Sequence, residues 1–110
     1  MALTKVTGGL LGNLPTGTGN VAVGATALDS IASGASNNVA IGSGAGTAIT
    51  TGGRNIAVGT SALDANTTAE KNIAIGVSSL TTNTTGASNV AIGDQALSDN
   101  TTASNNTAVG

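Results

Sequence analysis

The stretch SNNVAIGSGAG, residues 36–46, admits two incompatible readings. Gly42, Gly44 and Gly46 recur at every second position after an apolar run, as in a loop that wraps a phosphate. The same letters also fit one turn of a repeating coil. A phosphate loop needs a helix behind it, with Gly-Lys-Ser/Thr or a distant acidic partner. Here Thr47, Ala48 and Ile49 lead into another turn instead. The rest of the chain decides for the coil.

Five further copies of the same pentapeptide lie in register. NVAVG starts at Asn20, NVAIG at Asn38, NIAVG at Asn55, NIAIG at Asn72, NVAIG at Asn89 and NTAVG at Asn106, at offsets of 18, 17, 17, 17 and 17 residues. Apolar-small-apolar alternation is the period of a strand, and Val and Ile suit a pleated surface. Ala27-Leu28, Ala62-Leu63 and Ala96-Leu97, with Ser79-Leu80 as a variant, form a second short apolar element, expected as a second strand. Asn-Thr-Thr then turns the chain back. Such a repeat is too short for two packed helices, which need more than about 30 residues. The pattern predicts an all-β fold, a parallel β-solenoid or β-roll, with one 17-residue coil stacked on the next.

Composition agrees. Among 110 residues there are 17 Gly, one Pro and no aromatic residue, His or Cys, and only 7% are charged. Aromatic rings, a usual source of core energy, are missing. Low charge with a mean hydropathy of +0.25 argues against a solvated coil. The repeat accounts for this bias. Residues 20–110 read as five full repeats and a partial sixth, and residues 1–19 as a separate N-terminal segment.

Stacking in register turns each repeat position into a ladder. Asn20, Asn38, Asn55, Asn72, Asn89 and Asn106 form one, so their amides can bond along the axis. Gly24, Gly42, Gly59, Gly76, Gly93 and Gly110 form another, a coil corner with positive φ or no room for a Cβ. Val and Ile are expected to face the core. The alanines between them, Ala22, Ala40, Ala57, Ala74, Ala91 and Ala108, then point outward as a flat apolar strip. That strip suits a symmetric oligomer whose axis runs along the solenoid; the alternative is that the alanines face water. Gly46 stands where other coils carry Leu, and Ile49, in register with Ile31, is placed to fill the gap.

With NVAIG-type strands, an in-register Gly and an Ala-Leu element, residues 20–110 resemble the head repeats of trimeric autotransporter adhesins. Those repeats are usually shorter. The longer form NIAIGVSSLTTNTTGAS, residues 72–88, looks closer to repeats in bacteriophage tail fibres, and MALTKVTGG resembles the start of such proteins. The resemblance implies a left-handed homotrimer, a virion shaft that serves host attachment as a rigid spacer. Residues 1–19, with Leu10, Leu11 and Leu14, would cap the first coil or bind other virion tail proteins. A host receptor would be contacted outside this chain. The N-terminus carries no recognisable signal peptide, which favours the virion over a bacterial surface adhesin. Nothing caps the last coil at Gly110, so a longer fibre or a capping domain is expected.

The side-chain inventory leaves little for catalysis, and the chain is expected not to be an enzyme. The general acid/base candidates are Asp29, Asp64, Glu70, Asp94, Asp99, Lys5 and Lys71. Asp29 and Asp64 share a repeat position two coils apart, with Thr47 between them and no aromatic platform for a sugar. No cofactor or metal is expected. TGGRN, residues 51–55, has the paired Gly of a calcium-binding solenoid without the following Asp. Three basic residues, Lys5, Arg54 and Lys71, cannot track a nucleic-acid backbone, and no apolar run is long enough to insert in a membrane. Glu70 is placed to bridge to Arg54 of its own or a neighbouring protomer. The pairs Thr50-Thr51, Thr67-Thr68, Thr84-Thr85 and Thr101-Thr102 raise ice binding as a further class, although adjacent threonines in a strand face opposite ways.

Overall fold

A computed structural model describes residues 17–110. Six three-residue strands, β1 (Val21–Val23), β2 (Val39–Ile41), β3 (Ile56–Val58), β4 (Ile73–Ile75), β5 (Val90–Ile92) and β6 (Thr107–Val109), form one sheet in sequence order. Every pairing is parallel and in register, Ala on Ala: Ala22 with Ala40, Ala40 with Ala57, and so on to Ala91 with Ala108. The chain is a β-solenoid of about five turns. Residues 1–16, with Leu10, Leu11 and Leu14, lie outside the described residues, and with them most of the expected N-terminal segment.

Hydrogen bonds tie each coil to both neighbours. On the strand side, Ile56 N–H donates to the carbonyl of Asn72 (2.8 Å), and Gly59 N–H to the carbonyl of Ile41 (2.8 Å). On the opposite side, Leu63 N–H donates to Ser79 (3.0 Å) and Leu80 N–H to Ala96 (3.0 Å). These bonds pair backbone polar groups between coils, where burial favours such pairing.

The Ala-Leu element is not the second strand that its apolar character predicts. It lies in a run of turns in which alternate residues are left-handed: Ser61 (φ 58°) and Leu63 (φ 53°), Ser78 (57°) and Leu80 (48°), Gln95 (58°) and Leu97 (51°). A bulky residue seldom adopts this conformation. Here each left-handed Leu folds its side chain back into the coil, so Leu28, Leu63 and Leu80 are fully buried. The turns close the coil within its short repeat. In the second coil Gly44 and Gly46 take the same two left-handed positions, at φ 73° and 60°.

The first coil is one residue longer. Leu28 through Ala32 keep a common register with the next coil, since Ala32 N–H reaches Thr50 (2.7 Å), and the chain resumes it at Ala35. The extra residue is taken up at Ser33–Gly34, where a Cβ on Gly34 would meet nothing within 4 Å.

Candidate functional site: the outward Val/Ile face

In each strand the first and third residues share a face and the second points the other way. The alanines take the inner side. Ala22, Ala40, Ala57, Ala74 and Ala91 are buried in the core with Ala27, Ala45, Ala62, Leu28, Leu63, Leu80 and Ile49, and only Ala108 in the last strand is half-exposed. This corrects the expectation that these six alanines form an outer interface. The reason is the narrowness of the coil. Its interior receives a Leu from the far wall and an Asn amide from each corner, which leaves room opposite for a methyl group and not for a Val or Ile.

The β-branched residues consequently stand outside in two columns. Val21, Val39, Ile56, Ile73, Val90 and Thr107 form one, and Val23, Ile41, Val58, Ile75, Ile92 and Val109 the other. Val21 is 46% exposed, Ile41 41%, and Ile75 and Ile92 37% each. At about 4.8 Å per strand the columns run for about 24 Å. No charged residue interrupts them. A continuous apolar face of this kind is a candidate interaction surface.

Two edges flank the face. Just before the strands stand Asn37, Arg54, Lys71, Ser88 and Asn105; just after the corner glycines stand Ala25, Ser43, Thr60, Val77 and Asp94. Val77 is 51% exposed although it lies outside the strand columns. Arg54 Nη1 lies 4.0 Å from Glu70 Oε2, the own-chain form of the two pairings that the sequence leaves open, with both side chains largely exposed. Such a pair contributes little to stability.

The expected ladders have definite geometry. The corner glycines Gly24, Gly42, Gly59, Gly76, Gly93 and Gly110 have φ between 122° and 134°. A Cβ on Gly59 would sit 2.5 Å from the carbonyl oxygen of Gly76 in the next coil. Asn38, Asn55, Asn72 and Asn89 are wholly buried. From Asn20 to Asn89, each corner amide both closes its own coil and holds the next. Asn55 Nδ2 donates to Ala69 O (2.9 Å), closing its own coil, and its Oδ1 accepts the N–H of Asn72 (3.0 Å) above it.

A second ladder, Asn66, Asn83 and Asn100, is absent from the sequence reading, which took these residues as turn formers. Asn83 Nδ2 donates to Asn66 Oδ1 (3.0 Å) and Asn100 Nδ2 to Asn83 Oδ1 (2.8 Å). Asn66 and Asn83 are fully buried. Their exact 17-residue spacing was the available signal. Ile49, also buried, occupies this position in the second coil. A Cβ on Gly46 would lie 3.0 Å from Ile49 Cδ1 and 3.1 Å from Leu28 Cδ2, so Ile49 and Leu28 together fill the space that Leu takes elsewhere.

The remaining candidates stay apart. Of each threonine pair, Thr51, Thr68, Thr85 and Thr102 are exposed, while Thr50 and Thr84 turn a hydroxyl to a carbonyl of the next coil (3.3 and 3.1 Å). That leaves one regular outward Thr column. Asp29 and Asp64 remain two coils apart on the turn side, and Arg54 belongs to the charged edge. Among the described residues no three or more His, Cys, Asp or Glu gather into a cluster. No helix among them is long and apolar enough to cross a membrane.

Comparison with known families, with curated proteins and with solved structures finds no match to this chain.

Proposed function

We propose that the chain is a shaft segment of a homotrimeric bacteriophage tail fibre, a rigid spacer serving host attachment. The observation that carries this reading is the outward Val/Ile face on a coil whose strands are paired in register with those of the adjoining coils. Three copies would turn that face to a common axis. The width of the face supports three. Sheets pack about 10 Å apart, so each wall of a side-chain-filled prism stands about 5 Å from its axis, and a triangular prism of that size has walls about 17 Å wide. From Asn72 to Gly76 the chain spans about 13 Å between first and last Cα at strand spacing, and Lys71 and Val77 on either side extend the wall toward that width. A pair of facing sheets would instead leave edges about 10 Å apart and wet.

In this reading, residues 1–19 join other virion tail proteins, and the receptor is met by a region outside this chain. The fibre is then extracellular, on the virion. A bacterial trimeric adhesin is the related alternative, and the genes flanking the coding sequence separate the two. Sedimentation equilibrium of the whole chain tests the assembly. A species of three times the 10.2 kDa chain mass is expected, and a monomer at all concentrations overturns the proposal.

A further inference from the structure

We infer that Lys71 of one copy lies along Val77 of its neighbour and pairs with that neighbour's Asp94, which fixes the copies parallel and in axial register. The inference rests on the trimer reading above.

Two observations lead to it. Lys71 and Asp94 flank the same apolar face on opposite edges, and Val77 is the one large apolar residue among 25, 43, 60, 77 and 94 on the second edge. The segment Asn72–Gly76, with β4 at its centre, holds the two edges more than about 13 Å apart, so Lys71 and Asp94 of one chain cannot pair. Among the described residues the ion pair formed within the chain is Arg54 with Glu70, which answers the other cation of this edge.

Closed cyclic symmetry about an axis parallel to the solenoid sets the match. A cyclic operation has no translation, so residues at equal height meet across each seam. One coil rises about 4.8 Å, or about 0.3 Å per residue. Val77 therefore stands within about 2 Å of the height of Lys71, and Asp94, one coil above Val77, about 6.5 Å higher. A lysine stem lies naturally on an apolar residue while its ammonium extends beyond it to a polar partner. The exposed Val77 is covered and the two charges are matched in one contact. Antiparallel copies related by a two-fold axis along the strands would bring the edge of Arg54 and Lys71 onto itself, with like charges opposed.

The chain has no cysteine and two lysines, so amine-to-carboxylate coupling has few products. Equal amounts of 14N- and 15N-labelled full-length chain are refolded together and treated with a zero-length carbodiimide. Peptide mapping is expected to find a Lys71–Asp94 isopeptide between light and heavy chains, lost in Asp94→Asn. In parallel, Lys71→Asp and Asp94→Lys each weaken association several-fold, and the double swap restores it. A trimer that gives no Lys71–Asp94 link overturns the seam and leaves the trimer standing. A monomer under the same conditions overturns both.

Discussion

The backbone N–H of Asn72 donates to Oδ1 of Asn55 at 3.0 Å, joining two coils through a side chain that is itself wholly buried. The Asn72 amide in turn donates to Gly86 O at 2.8 Å and its Oδ1 accepts Asn89 N–H at 2.9 Å. One wholly buried residue thus serves three coil-forming bonds.

Replacing Asn72 by Ala strands the carbonyl of Gly86, the N–H of Asn89 and part of the Asn66 amide oxygen's partners. Each unmet buried group costs about 1–3 kcal/mol, so the variant is expected to lose about 3–6 kcal/mol. Chemical denaturation followed by far-ultraviolet circular dichroism measures it. Asn72→Asp is expected to be no better, because a carboxylate cannot donate to Gly86.

The corner column should tolerate no side chain. In Gly59→Ala the new Cβ meets the backbone of Gly76 at 2.5 and 2.6 Å, at a φ of 132° that disfavours any L residue. A loss of at least about 2 kcal/mol is expected from strain of this kind. Gly34→Ala, whose Cβ points into open space, is the contrasting variant and should be close to neutral.

The second coil offers a coupled pair. Gly46→Leu alone overpacks against Ile49 and Leu28 and is expected to cost about 1–3 kcal/mol. Ile49→Asn alone opens a gap, although its amide extends the ladder below Asn66. Together the two substitutions restore the pattern of the later coils. A double-mutant cycle should give a favourable coupling of about 1 kcal/mol or more, and simple additivity would show that the two positions do not share one space.

These residues also mark how far the sequence could be read. The period, the parallel register, the corner glycines and the first Asn ladder follow from one pentapeptide repeated in step. The inner side of the strand does not. Alternation places Ala opposite Val and Ile but is silent on which faces inward, and hydrophobicity alone puts the larger residues inside. Coil width decides the matter, and it depends on Leu63 or Leu80 reaching across from the opposite wall. That reach in turn needs Leu in a left-handed conformation, which residue preference argues against. The second Asn ladder was hidden for a similar reason: Asn-Thr-Thr has the composition of a turn, and burial of Asn83 arises only once the coil has closed.

Inner and outer strand positions should respond oppositely to substitution. Ala74→Val adds two methyl groups to a filled interior and is expected to destabilise the fold by about 1–3 kcal/mol. Ile75→Ser, on the outer face, should leave the coil's circular dichroism spectrum intact and weaken self-association. Thermal melts at several protein concentrations separate the effects, since only a change in assembly makes the shift concentration-dependent.

The most direct test of the central claim is the mass in solution of the full chain beside an Ile41→Ser, Ile75→Ser, Ile92→Ser variant, measured by sedimentation equilibrium. The account predicts a trimer for the parent chain and a folded monomer for the variant. A parent that remains monomeric, or a triple variant that still assembles as the parent does, would contradict it.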